Sequence, residues 1–370
     1  MSQVTCPLDH VLVLGRGAVR AHRNPDAADA LVPALKGNLV NHPRKNPSRL
    51  AAIGAAVLAL ALSACSGAPA GTPAAPAASA NTSAAAAPSA ASAFPVDVVS
   101  GAADSTEKVT IKEQPKAIIS LSPTATETLF AIGAGEQVKA VDNQSNYPAE
   151  APKTELSGYK PNVEAILGYA PDLVVTTNAA PDLLGALSNA GVPTLVLPSA
   201  KTLDDAYGQI ERLGAATGNL ADAKALVAKM DEAIDKAVAD TPKVEGVTYY
   251  HELDPTLYSI TGSTFIGEVY GLFGLISIAD AAGSADAYPQ LSEEYVVEAD
   301  PDLIFLSDTQ CCGVTPEAVG QRAGWSGLKA VQGGRIHVLD EDVASRWGPR
   351  VVEFVETISG HVKALETAKA

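Results

Sequence analysis

One short pattern occurs twice in this chain, and it limits the possible folds more than any other feature. Residues Pro161 to Thr177 read PNVEAILGYAPDLVVTT, and Leu291 to Ser307 read LSEEYVVEADPDLIFLS. In the first copy Val163, Ile166 and Leu167 share one face of a short helix. Pro171-Asp172 breaks that helix, and Leu173-Val174-Val175 starts a buried strand. Glu164 matches Glu294, Pro171 matches Pro301 and Asp172 matches Asp302, all at one spacing. That spacing is too wide for a solenoid repeat. It predicts one helix-strand unit used once in each of two similar lobes. Thr126 to Gly133 (TETLFAIG) and Gly267 to Gly274 (GEVYGLFG) are a second echo, each an amphipathic helix stopped by glycine. A cleft between two lobes is a common place for a ligand.

The rest of the body supports an α/β fold. Ala117 to Leu121, Val138 to Val141, Leu173 to Thr176 and Thr194 to Leu197 read as buried strands, with helices after Ser122-Pro123-Thr124 and over Asp182 to Ala190. Thr124 and Glu127 have capping-box spacing. Alternating strands and helices predict parallel sheets. Leu203 to Ala239 is the most helical stretch, interrupted near Gly218-Asn219. Its second part carries an apolar stripe from Leu220 to Val238. It lies between the two repeats and so suits a joining helix. Val247 to His251, Leu303 to Ser307 and Arg335 to Leu339 supply the second lobe's strands, and a helix from Pro349 closes the chain. Phe94 to Glu113 is only weakly patterned, with an edge strand at Lys108 to Ile111.

The N-terminal region reads as an export signal. Arg44, Lys45 and Arg49 precede the apolar run Leu50 to Leu62, which is too short to span a bilayer as a mature helix. Leu62-Ser63-Ala64-Cys65 resembles the bacterial lipobox, which implies acyl chains on Cys65 and anchoring at the outer face of the cell membrane. Residues 1–40 lack periodicity and suit an over-extended start. Ser66 to Ala93 is almost wholly Ala, Ser, Pro, Thr and Gly, the composition of a tether that cannot bury a core. The organisation read from sequence is an extension and signal peptide (1–64), lipidated cysteine and tether (65–93), N-terminal lobe (94–218), joining helix (219–242) and C-terminal lobe (243–370). The net charge is −16, and residues 1–64 are the basic part. An acidic body argues against nucleic-acid binding.

No catalytic motif survives inspection. His251-Glu252 begins like a zinc-protease motif, but Pro255 stands where the second histidine would be. No nucleophile elbow or P-loop occurs, and no metal site is assigned. His337, in an apolar strand, reads as core. His251 ends a strand, where α/β folds bind ligands, and is a candidate lining residue. Cys311-Cys312 forms either a vicinal disulfide or two thiols.

Five segments together resemble one family: SLSPTATETLFAIGAG, NYPAEAPK, PNVEAILGYAPDLVV, PQLSEEYVVEADPDLIFLS and RWGPR. It is the periplasmic-binding proteins for cobalamin, iron-siderophores and haem that serve ABC importers. The resemblance covers about Lys116 to the C-terminus. It implies two α/β lobes joined by one long backbone helix, a monomer, and partnership with a permease and its ATPase. It implies a binding protein, not an enzyme, with no cofactor; the ligand is a corrinoid narrowly ahead of a ferric siderophore, with haem third. Glu164 and Glu294 match the glutamates that dock on arginines of the permease. Tyr147, Tyr159, Tyr258, Tyr288, Arg346 and Trp347 match ligand-facing positions. Aromatic walls suit a corrin or porphyrin face and arginines suit anionic groups. Trp347 and Arg350 equally suit packing and a helix start. Tyrosine stands where a strong cobalamin match has tryptophan. A haem importer component, a ligand sensor and a metal-dependent surface enzyme using His251 remain as alternatives.

Overall fold

Asp172 shows how the repeat works. Its carboxylate accepts the backbone N–H groups of Lys116 (2.7 Å) and Ala117 (2.9 Å), clamping the start of the neighbouring strand. Asp302 does the same in the second copy, accepting from Thr248 N–H at 2.9 Å. Each is preceded by a proline and by a non-glycine residue with positive φ, Ala170 at 50° and Asp300 at 45°. The unit is thus a left-handed helix stop, a proline that cannot continue the helix, and a carboxylate that sets the strand start.

The computed structural model describes residues 94–102 and 105–369. Strands β1 (Val96–Ala102) and β2 (Ser105–Ile111) pair as an antiparallel hairpin. The first parallel sheet contains β3 (Ile118–Leu121), β4 (Val138–Val141), β5 (Leu173–Thr176) and β6 (Thr194–Val196), in the order β4-β3-β5-β6. Its helices are α1 (Pro123–Ala131), α2 (Val163–Leu167) and α3 (Pro181–Asn189). Next come α4 (Leu203–Thr217) and α5 (Leu220–Ala239). The second parallel sheet contains β7 (Thr248–Glu252), β8 (Ile276–Ser277), β9 (Leu303–Leu306) and β10 (Ile336–Val338). Its order is β10-β9-β7-β8. Counting strands within each sheet, both have the spatial order second, first, third, fourth. The two lobes therefore share one topology, as the sequence repeat predicts. Helices α6 (Phe265–Gly271), α7 (Glu293–Ala299), α8 (Thr309–Cys312), α9 (Pro316–Gly320), α10 (Lys329–Gln332) and α11 (Glu341–Ser345) surround the second sheet, and α12 (Val351–Lys369) closes the chain.

The long helix α5 has 20 residues, about 30 Å at 1.5 Å per residue. It packs against α4 and α12. Gly218, at φ 83°, turns the chain between α4 and α5. Gly214 lets the two helices meet, because a Cβ there would lie 2.4 Å from that of Ala223. The buried stripe of α5 is narrower than predicted: Ala223, Met230 and Ile234 are buried, while Leu220 is exposed. Strands β3, β5, β7 and β9 are mostly Ile, Leu, Val and aromatic residues and are buried along their length apart from Thr248. Such near-continuous apolar runs are what a sheet covered on both faces requires.

Three local expectations change. The lead-in contains β1 as well as β2, and Ser100 Oγ ties the hairpin to the first sheet by accepting Val196 N–H at 2.8 Å. A short strand, β8, lies in a segment with no strand expectation. The cap of α1 is Ser122, whose side chain accepts Ala125 N–H, so Thr124 and Glu127 form no capping box.

Candidate functional site

In parallel α/β sheets ligands bind beyond the carboxyl ends of the strands. Here those ends face each other across an inter-lobe network centred on Glu127, which is 2% exposed. Glu127 lies on α1 of the first lobe. Its Oε1 accepts from Arg346 Nη1 (2.7 Å) and Arg350 Nη2 (2.7 Å), and its Oε2 from Arg350 Nε (3.0 Å). Arg346 also donates to Asn146 Oδ1 (3.0 Å), Gln144 O (3.2 Å) and Asp342 Oδ1 (2.5 Å). Asn146 in turn donates to Asp342 Oδ2 at 2.6 Å. Two further bonds tie the lobes: Trp347 Nε1–H to Gln209 Oε1 (3.0 Å), and Leu203 N–H to Glu268 Oε2 (2.8 Å).

The predicted site residues divide into several environments. Tyr147 is 47% exposed, with the Arg350 guanidinium 4.4 Å from its ring centroid, a cation–π geometry. Tyr159 is 41% exposed beside Lys160. It follows Gly158, where a Cβ would meet Leu121 O at 2.4 Å, so only glycine lets the chain pass there. Tyr258 and Tyr288 are brought together in the second lobe. Tyr258 bridges to Gln290, and Ser259 N–H donates to Pro289 O at 2.9 Å. Both rings are half-buried against the core, and burial pushes the Tyr288 phenol up to about 12. Arg346 is buried within its network and Trp347 is half-buried.

His251 does not line the site. It is fully buried, its Nδ1 lies 2.9 Å from the Tyr270 hydroxyl and its Nε2 2.9 Å from Ser307 Oγ. Burial lowers its pKa to about 3, so it is a neutral core residue with both nitrogens engaged. It is the last but one residue of β7, which runs one residue past the predicted end, and it points between the sheet and α6. His337 is half-buried and stacked on His361, with ring centroids 3.8 Å apart. Cys65 lies outside the described residues.

Glu164 and Glu294 are both exposed. Each occupies the second position of its helix, after Asn162 in one lobe and Ser292 in the other. Asn162 Oδ1 accepts Ala165 N–H and Ser292 Oγ accepts Tyr295 N–H, both at 3.1 Å. The two carboxylates thus stand in equivalent places on equivalent helices.

Sequence reasoning missed several buried carboxylates at the strand ends. Asp142 follows β4 and is 1% exposed; burial raises it to about 6, against the lowering effect of Ser145 and Arg346. Glu252 ends β7 and takes a two-pronged pair from Arg322, at 2.5 and 2.6 Å. Asp308 follows β9 fully buried, and burial, then the Glu252 charge, push it up to about 8. Burial and the neighbouring carboxylate thus both favour the neutral form of Asp308. Only their places after buried strands could have marked them. A groove of about 750 Å³ opens at the opposite edge of the first sheet, beside Lys116, Asp172 and Pro193, away from this network.

Two α/β lobes of one topology, joined by a long helix and facing each other at their strand ends, define a two-lobed binding protein of the helical-backbone type. The chain belongs to the periplasmic binding protein family, whose sequence profile matches residues 118–343. It is 32% identical over 276 residues to a Bacillus subtilis protein named an ABC transporter substrate-binding lipoprotein, YvrC, covering 72% of this chain and 85% of that one. It is 30% identical to a Halobacterium salinarum cobalamin-binding protein, covering 71% of this chain and 73% of the other. Among solved structures, the periplasmic vitamin B12 binding protein BtuF of Vibrio cholerae aligns with TM-score 0.57 at 27% identity. That alignment covers 68% of this chain and 98% of BtuF. The heme binding protein HutB of Vibrio cholerae shares the fold at TM-score 0.59 and 21% identity, covering 66% and 97%.

Proposed function

We propose that this chain is the substrate-binding component of an ABC importer, exported and anchored through lipid on Cys65, and that it carries a corrinoid. The observation that carries the choice of ligand is the state of Arg346. Four of its donor contacts are taken by Glu127, Asp342, Asn146 and Gln144. Arg350 is likewise paired with Glu127. A ligand that relies on carboxylates or catecholate oxygens would have to break this buried network to obtain a guanidinium, taking one of the two cationic partners of buried Glu127. The exposed faces of Tyr147 and Tyr159 suit a large, nearly uncharged macrocycle instead. The cobalamin-binding and vitamin B12-binding relatives agree with this reading. A catalytic role has no support from His251, the residue on which a metal-dependent enzyme would depend, because both its nitrogens are engaged in the core.

The test is a fluorescence titration of the purified chain with cyanocobalamin, a ferric hydroxamate, a ferric catecholate and haemin, corrected for absorption. Trp347, pinned to Gln209 beside the inter-lobe network, is the expected reporter. Saturable quenching by cyanocobalamin alone is the expected result. Binding of haemin or a ferric siderophore without cyanocobalamin would overturn the ligand and keep the class. Binding of none would overturn both.

A further inference from the structure

The turn after β9 holds a cysteine pair on which the proposed function does not call. Cys311 and Cys312 are adjacent, both unbridged, and Cys312 is exposed. Their sulfur atoms lie 2.8 Å apart. The turn that carries them, α8, is fastened to α11 by one carboxylate. Glu341, 3% exposed, accepts the backbone N–H groups of both Gln310 and Cys311, the latter at 3.1 and 3.2 Å. The next residue, Asp342, is the one that braces Arg346 and Asn146 in the inter-lobe network. Two unbroken steps therefore run from the cysteine pair to the contact between the lobes.

We propose that Cys311 and Cys312 are a redox-modification site, closed to a disulfide by a low-molecular-weight disulfide, and that closure is felt by α11 through Glu341. The chemistry balances by thiol–disulfide exchange. The exposed Cys312 thiolate attacks one sulfur of the reagent, whose S–S bond breaks and releases one thiolate. Cys311, losing its proton, then attacks Cys312 Sγ and displaces the second thiolate. The two cysteines are oxidised, and the reagent is reduced to two thiols. Neighbouring Cα atoms across a trans peptide are about 3.8 Å apart, below the usual Cα separation of about 4.4–6.8 Å for a disulfide. Ring closure must therefore rotate the peptide between the cysteines and disturb the helical turn. That peptide carries the Cys312 N–H, so its bond to Asp308 O is lost first, and the adjoining Cys311 N–H, held by Glu341, is pulled from its carboxylate next. A buried carboxylate deprived of a donor is destabilising.

The experiment uses the full chain, reduced and then treated with oxidised glutathione. Remaining thiols are alkylated with iodoacetamide, and the peptide spanning 311–312 is weighed by mass spectrometry. Both cysteines should be protected together, with no glutathione attached, and alkylation of Cys312 should slow about tenfold or more, because only the free thiolate reacts. Cys311→Ser should instead trap glutathione on Cys312, which shows that the site is reactive even where the ring cannot form. Oxidation should lower the melting temperature of the wild-type chain reversibly, and leave that of Cys311→Ser unchanged. A stable glutathione adduct on wild-type Cys312, or no reaction, would overturn the site. Ring closure with an unchanged melting temperature would overturn its link to Glu341. None of these readouts depends on the identity of the ligand.

Discussion

Glu127 holds two arginines of the other lobe with one carboxylate, and its removal is the sharpest residue-level test. Glu127→Ala leaves Arg346, 7% exposed, with Asp342 as its remaining carboxylate and Arg350 with none. Breaking a buried pair by deleting one partner costs about 3 kcal/mol or more. Arg350→Ala should cost about 1–2 kcal/mol, because Glu127 keeps Arg346. Urea unfolding of the two variants should rank them in that order; equal losses would show that the network does not centre on Glu127. Asp308 sets a second test. Its native pKa of about 8 lies above the ordinary 3.8, so the folded state holds a proton that the unfolded chain gives up. Stability must then fall as pH rises from about 4 towards about 8. The buried histidines act in the opposite sense. His251 at about 3 and His337 at about 4, the latter lowered by burial and then by His361 and Arg335, stay neutral where the unfolded chain is protonated. They remove stability as pH falls below about 6.5. Asp308→Asn should remove the fall between about pH 4 and pH 8 and leave the histidine-driven loss below about 6.5 in place. Unfolding curves from pH 4 to pH 9 would show either outcome.

At the scale of elements, the repeat makes a prediction in which its two copies differ. Ala170 and Asp300 occupy the same left-handed position, at φ 50° and 45°. Ala170 has only the strain of its Cβ there, so Ala170→Gly should stabilise by a few tenths of a kcal/mol up to about 1. Asp300 offsets the same strain by accepting Lys329 N–H at 2.8 Å and pairing with Lys329 Nζ at 3.3 Å, so Asp300→Gly should not stabilise. Thermal melts of the two variants shifting in the same direction would refute this contrast. That contrast also shows what the sequence could and could not convey. The helix stop, the proline and the strand-setting aspartate are local, so the repeat was legible, as were β4 and β5 to the residue. Strand β1 was not, because VDVVSGA becomes a strand only by pairing with β2. Glu127 was read as part of a local cap, since its partners Arg346 and Arg350 lie 219 and 223 residues away. His251 was placed within one residue of a strand end, yet nothing local indicates that Tyr270 and Ser307 close around its ring. Short-range chemistry is written in the sequence; the partner that a long-range fold delivers is not.

For the whole molecule, the question is how a ligand held between the lobes reaches a membrane partner. Helices that connect parallel strands run against them, so the N-termini of α2 and α7 lie at the carboxyl edges of their sheets, the edges that bear the inter-lobe network. Glu164 and Glu294 stand one on each lobe, exposed and at equivalent helix positions. A partner that contacts both would span the mouth of the cleft. Under the proposed function, each glutamate meets an arginine of the permease. Charge pairs at such a transient contact govern orientation and association rate more than affinity. Glu164→Ala or Glu294→Ala alone should slow uptake by about tenfold, and the double variant should abolish it. Ligand affinity should stay unchanged, because neither side chain is among those proposed to face the macrocycle. Raising the salt concentration should weaken docking of the wild-type chain and have little effect on the double variant, since screening acts only on charges that are present. Uptake in cells and binding of the purified chain to permease in nanodiscs measure the two halves of this prediction. Normal transport by the double variant would remove the docking role from both residues, while the fold and the ligand site would stand as described.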